Sequence, residues 1–247
     1  MLRVELPFLN YHRVLIDNSS DVDYSELKKD DYSFIVAYGN FYDLDYHLTE
    51  KKACVIDLSE GIEKVIQNFS PTSRNEVRRA DKIKELEFHF GLESFDFYEY
   101  FDFHRSCEKD RNWYPVPPNE LKNSLVFSAT FEGQLISGMS CYSHGNRIRV
   151  GRIYSNKRSK LSDRLTNLVY GVAAKRIILK ICEFAYSNGI ISLDLGGVDL
   201  NDLNKSGITK FKMSMGGEIV PVMLARYYST NFSKGEQQIK ALGWDLT

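Results

Sequence analysis

The sequence predicts an α/β protein on a mixed sheet, in which an antiparallel three-strand meander leads through one long helix into a strand buried on both faces. Three observations carry this. Apolar runs at 125–131, 135–142 and 147–154 are separated by Glu132-Gly133 and His144-Gly145-Asn146, the composition of tight hairpin turns. A proline-free stretch of helical period then runs from 162 to 188, and Gly189 follows it as a helix-ending glycine would. Residues 190–195 are continuously apolar except for Asp194, the pattern of a strand covered on both sides. A strand, crossover helix and strand of this length form a right-handed parallel unit, here appended to the meander.

Taken in order, residues 1–58 alternate short apolar runs (14–16, 34–38, 53–58) with polar turns and predict a small mixed layer of strands, with Tyr42, Tyr46 and His47 as packing and rim residues. Residues 59–69 predict a helix capped by Ser59, with Ile62, Val65, Ile66 and Phe69 on one face. After Ser70-Pro71 a second helix, 72–86, concentrates Arg74, Arg78, Arg79, Lys82 and Lys84. Arg74, Arg78 and Lys82 share one face, about 6 Å apart per step. Such a stripe suits a phosphate, and the interleaved Glu76, Asp81, Glu85 and Glu87 fit a solvated face equally well.

Residues 95–112 have the period of an aromatic helix with His104 packed at its edge; Pro115, Pro117 and Pro118 end it, and Trp113-Tyr114 are candidates for a pocket mouth. In the third meander strand Arg147, Arg149 and Arg152 are spaced so that alternation breaks at Gly151-Arg152, which predicts a bulge. The basic turn that follows, with Ser155, Arg158 and Lys160, and Ser162 as cap of the long helix, is the candidate cofactor-binding segment, because cations beside a helix N-terminus attract anions. Gly171, Ala173 and Ala174 are expected to let that helix pack closely on the sheet. After the buried strand, Gly196-Gly197 let backbone approach a ligand, a polar loop leads to an amphipathic segment at 207–215, and Gly216-Gly217 precede a strand at 218–226. The tail, 229–247, predicts a final helix with Trp244 docked.

Composition bounds the function. The 247 residues are 43% hydrophobic and 26% charged with net charge −1, the balance of a globular enzyme or binding protein, with no overall field for nucleic acid or acidic membrane. Four scattered cysteines fit reduced, buried thiols, and five histidines lack metal-ligand spacing, so no metal is expected. No apolar run approaches a membrane span and the N-terminus lacks a signal-peptide core, which leads to the expectation of a cytoplasmic protein without a transmembrane segment.

The element order resembles the acyltransferase core called GNAT. NFSPTSRNEVRRADK (68–82), FEGQLISGMSCY (131–142), and LDLGG (193–197) followed by GITKFKMSMGGE (207–218) resemble, in order and spacing, its FemAB-like branch, which includes aminoacyl transferases of peptidoglycan bridges and acetyltransferases of polysaccharide clusters. The resemblance spans about 55–220, and the glycine-lysine segment is its most specific part. It implies a GNAT-like core at 93–247 on a reduced N-terminal strand-and-helix layer at 1–92. It implies acyl transfer to an amine or hydroxyl of a cell-envelope precursor, and the reading taken here is an N-acyltransferase that draws on acyl-CoA, acetyl-CoA foremost, and modifies an amino group of a phosphorylated cell-envelope or polysaccharide precursor such as a nucleotide-linked sugar. The strands at 149–154 and 190–195 are then expected to splay and hold the donor. Asp194 and Tyr154, followed by His144 and Glu218, are candidates for proton transfer. Asp194 beside the paired glycines suits a base, and equally an acceptor for the N–H groups of that loop. Lys212 matches the lysine of the family's FK motif and is implied to contact precursor phosphates, joined by Arg74, Arg78, Gly196 and Gly197. Where CoA-using relatives have a glycine-rich turn, 155–162 has no glycine, which leaves an aminoacyl-tRNA open as donor. A non-catalytic precursor-binding protein and an RNA-binding protein are the alternatives from other classes; the basic helix has no aromatic residues to stack on bases.

Overall fold

Among the described residues ten strands make one sheet, in the order β1-β2-β3-β10-β4-β9-β8-β7-β6-β5. The computed structural model describes residues 1–17, 23–39, 41–93, 96–110, 116–155, 164–200 and 206–242. The strands are β1 (Leu2–Leu6), β2 (Leu9–Ile16), β3 (Tyr32–Ala37), β4 (His47–Asp57), β5 (Leu86–Phe90), β6 (Leu125–Phe131), β7 (Gln134–His144), β8 (Arg147–Ser155), β9 (Ser192–Val198) and β10 (Glu218–Tyr228). The helices are α1 (Tyr24–Leu27), α2 (Ile62–Asn68), α3 (Pro71–Ala80), α4 (Phe97–Asp110), α5 (Pro118–Lys122), α6 (Arg164–Ser187), α7 (Ser206–Ser214) and α8 (Phe232–Ala241).

The meander is present as expected: β6, β7 and β8 pair antiparallel in succession, and α6 carries the chain to β9, which pairs parallel with β8. The N–H of Ile190 reaches the Ala185 carbonyl at 2.9 Å, the six-to-one bond that closes a helix on a following glycine. β10 does not lie beside β9. β4 stands between them, antiparallel to both, so strands from either side of residue 92 alternate in one sheet.

Three other readings change. Ser59 is not the cap of α2, whose N-cap position is Gly61. The basic helix is shorter than expected: Ser70 caps it by accepting from the Ser73 N–H at 3.2 Å, and it stops at Asp81, after which β5 pairs with β6. Gly171 is exposed with open space where a Cβ would stand, so close packing of α6 rests on Ala173 and Ala174.

One face of the sheet is covered by α6, with α2 and α3 packed against that helix, through a core that includes Leu193, Val150, Met139 and Ile178. The four cysteines are buried free thiols. The other face is concave. The sheet curls until β2 meets β7 and β8: the Met1 amino group donates to the Ser143 carbonyl, His144 Nδ1 lies 2.6 Å from the Leu15 carbonyl, Arg147 pairs with Asp17, and Tyr142 packs in one cluster with Tyr11 and Tyr32. α8, and α5 with α4, line this side. α5 also guards an edge. Asn119 and Asn123 donate side-chain N–H groups to the Glu5 and Arg3 carbonyls of the terminal strand β1, at 2.8 and 3.2 Å.

Candidate active site

β8 and β9 pair over only three residues, from Arg147 with Ser192 to Arg149 with Asp194, and then part. β9 leaves to follow β4, where Gly197 pairs with Ala53, while β8 stays on β7 as far as Ser155. Each strand bends at an extra residue. In β8 it is Gly151, since Cys141 faces Val150 and Ser140 faces Arg152, which meets the expected bulge. In β9 the register shifts between Asp194 and Gly197, and Gly196 takes φ +87°, a conformation glycine adopts without strain. The parting opens a cleft of about 310 Å³ whose wall includes Arg13, Glu120, Arg149, Arg152, Gly196 and Lys212.

A buried polar network closes the inner end. Asp194 has no exposed surface. One of its oxygens accepts the Gly196 N–H at 2.5 Å, and the other accepts from both the Arg149 guanidinium and the Tyr38 hydroxyl. Of the two roles open to Asp194, the geometry displays the acceptor for the glycine loop, with both oxygens already engaged. Burial, and then the Asp194 charge, push the Tyr38 phenol far above its ordinary value, so it keeps its proton. Lys212, on α7 and 6% exposed, donates to the Gly197 carbonyl at 2.7 Å, and its Nζ stands 3.4 Å from where a Cβ on Gly196 would be. Burial and the neighbouring Arg149 lower its pKa to about 8, against the opposing pull of Asp194.

On the far side of the Tyr38–Asp194–Arg149 link lies a larger cavity of about 890 Å³. Its wall includes Tyr38, Glu50, Lys51, Lys52, Asp57 and Arg147, over a floor with Val55, Val220 and Val222. Arg147 stacks 4.0 Å over the Tyr38 ring and donates to Ser192 Oγ at 2.6 Å, which fixes the phenol against the network.

The structure thus brings Asp194, Gly196, Gly197 and Lys212 together. Arg74 and Arg78 do not line the cleft. α3 turns Val77 and Ala80 inward, where it packs on α6, so Arg74 points to the Gln67 carbonyl at 2.6 Å and Arg78 is exposed. Tyr154, two residues beyond Arg152, lies outside the cleft wall because α4 covers that end of β8: its ring packs 3.6 Å from the His104 ring, and burial with the Glu108 charge holds its proton firmly. His104 is itself buried, its Nδ1 3.3 Å from Glu108. His144 serves the tie to Leu15, and Glu218 is exposed at the start of β10. Ser155 ends β8, half-buried, whereas Arg158, Lys160 and Ser162, like Trp113, Tyr114 and Trp244, lie outside the described residues. Among the described residues no group of three His, Cys, Asp or Glu is placed to hold a metal ion.

Arg13, Glu120 and Tyr38 were not singled out as site residues. Arg13 and Glu120 form a buried pair at 3.1 Å, and Glu120 also accepts from Tyr11 at 2.6 Å. The one available signal was a charged residue inside the run NYHRVLI, at a position where a half-buried strand turns inward.

No protein-family model matches the chain, and no curated protein matches it in sequence. Solved structures do resemble it. FemX superposes with a TM-score of 0.58 at 11% identity over 96% of this chain and 84% of that one. The C-terminal DUF2156 domain of a candidate lysylphosphatidylglycerol synthetase from Agrobacterium fabrum gives 0.57 at 11% identity over 93% and 82%, and L-PGS from Bacillus licheniformis 0.55 at 12% over 99% and 85%. At these identities the likeness establishes the fold alone, one that this chain shares with FemX and the two synthetase structures.

Proposed function

We propose that this chain is an acyltransferase that seats an acyl donor between β8 and β9 and passes the acyl group to an amino group of a phosphorylated cell-envelope or polysaccharide precursor, with acyl-CoA, acetyl-CoA foremost, as donor. The observation that carries this reading is the parting of two parallel strands at a bulge, with a buried lysine at the gap. A donor carbonyl placed there meets backbone polar groups of β8 that β9 no longer pairs, and the Lys212 ammonium beside Gly196. When the acceptor amine attacks, negative charge grows on that carbonyl oxygen, and a fixed ammonium in a water-poor cleft stabilises it more than water would. The tetrahedral intermediate collapses with departure of the thiolate, and the amine's surplus proton leaves with thiol or solvent. The larger cavity is assigned to the body of the acceptor: Lys51 and Arg147, with Asp57 beside them, answer a phosphate, and Tyr38 is the group its amine must pass.

A second reading has its own support. A cleft walled by Arg13, Arg149 and Arg152 suits the phosphate-bearing end of an aminoacyl-tRNA at least as well as a thioester arm. The test is consumption of donor. Thiol release from acetyl-CoA that depends on an amino-sugar nucleotide supports the first reading, and release of amino acid from aminoacyl-tRNA supports the second. Failure with both donors overturns acyl transfer. Because the Lys212 cation is the active form, the rate should fall as pH rises through about 8, and Lys212→Met should lower kcat by about 100- to 1,000-fold. A rate that is flat across that range removes Lys212 from the chemistry.

A further inference from the structure

β5 is the last strand on its side of the sheet, and among the described strands it pairs with β6 alone. In an antiparallel ladder alternate residues turn both backbone polar groups toward the neighbour, and the residues between turn theirs away. The Gly91 N–H reaches the Val126 carbonyl at 2.8 Å, and the Glu132 N–H reaches the Glu85 carbonyl at 3.1 Å. With the β5–β6 register, these bonds assign Glu87 and His89 to the ladder and leave Leu86, Phe88 and Phe90 facing outward. The Leu86 N–H is taken by the Ile83 carbonyl at 3.2 Å. Open to another strand are therefore the N–H groups of Phe88 and Phe90 and the carbonyls of all three. On the opposite edge the Asn119 and Asn123 amides occupy β1 carbonyls, whereas β5 has no proline, lysine or bulge to turn a strand away.

The side chains of β5 sort by face. Leu86 and Phe88 join the core beneath α6, and Phe90, 51% exposed, packs on Phe127 and Phe184 at 4.9 and 4.7 Å. Glu87 and His89 lie on the other face, where His89 Nε2 is 2.9 Å from Thr130 Oγ1 and 4.0 Å from Glu87.

The strand itself describes what would fit beside it. LEFHF has the same pattern read in either direction, apolar at 86, 88 and 90, with an acid at 87 and an imidazole at 89. A second β5 turned end for end about Phe88 sets Phe88 opposite Phe88, Phe90 opposite Leu86 and Glu87 opposite His89. In that register the outward N–H groups of Phe88 and Phe90 meet the Phe88 and Leu86 carbonyls of the other copy. The Glu87–His89 pairs then fall at the close, non-hydrogen-bonded positions, where opposite partners help most. Centring the pair on Glu87 would instead set carboxylate against carboxylate.

We propose that β5 is a self-pairing edge, through which two copies of this chain join antiparallel about a two-fold axis at Phe88 and continue one sheet into the other. α6 lies chiefly over β6 and β7, set back from the seam. The pairing stands apart from the cleft between β8 and β9 and from the chemistry assigned to it.

The test is sedimentation equilibrium of the full chain from low to high micromolar concentration. The mass should rise from that of one chain toward that of two. Phe90→Lys, a charge at an exposed position of the edge, should abolish the rise. Glu87→Lys, which sets a cation against His89 on both sides of the axis, should weaken pairing by about 5- to 30-fold. Adding His89→Glu to Glu87→Lys exchanges the two partners and should recover most of that loss, which a purely structural role for either residue would not allow. Leu44→Lys, at an exposed apolar residue ahead of β4, should pair as wild type does. A wild type that stays a single chain throughout overturns the proposal, as does a dimer that Phe90→Lys and Glu87→Lys leave equally tight. Mass that grows beyond two chains also overturns it, since a contact between unlike surfaces would then carry the assembly.

Discussion

Asp194 joins three parts of the chain that are far apart in sequence, accepting from a residue 156 positions away, from another 45 away, and from a backbone N–H two residues on. With no exposed surface, such a carboxylate costs several kcal/mol to bury, and it persists because Arg149 matches its charge. Asp194→Asn would keep the shape and leave the guanidinium without a counter-charge. The expected loss is about 3–5 kcal/mol of stability, read as a lower urea midpoint at unchanged slope. The double variant Asp194→Asn with Arg149→Met should recover part of that loss, since no unpaired charge remains inside. An Asp194→Asn protein as stable as wild type but slower in turnover would instead make Asp194 a base.

At the scale of elements, the meander, the long helix with its closing glycine, the bulge and the buried strand are legible because each is written in local period and turn composition. β5 was not. KIKELEFHF holds residues that favour a helix and has no glycine or proline to mark a stop; pairing of Leu86 with Phe131 and Phe90 with Phe127 overrides that preference. The polar network was hidden for a similar reason: neither Tyr38 nor Arg13 carries any mark that a strand from the far end of the chain will face it. The turn into β10 provides a test at this scale. Gly216 has φ +74°, and a Cβ there would lie 2.6 Å from the Asn68 carbonyl oxygen, in backbone that cannot swing aside. Gly216→Ala should therefore lose at least about 2 kcal/mol in urea denaturation. Gly171→Ala, with nothing within 4 Å and helical backbone on both sides, should gain up to about 1 kcal/mol. Equal effects at the two sites would mean that the turn relaxes.

For the whole molecule, β4 is the strand on which the order depends. Residues 47–57 must find both 192–198 and 218–228 before the centre of the sheet exists, and contacts so distant in sequence favour folding in milliseconds to seconds over microseconds. The isolated segment 93–247 lacks the strand that stands between β9 and β10, and it should show no cooperative unfolding transition by circular dichroism. A sharp transition in that fragment would mean that the segment holds a core of its own. The two ends of the sheet also differ in what they permit at high concentration. The Asn119 and Asn123 amides occupy carbonyls on which another molecule's strand would have to zip. A short helix begun by Pro118 thus guards the β1 edge, and among the described strands it leaves the β5 edge as the end to which another strand could add.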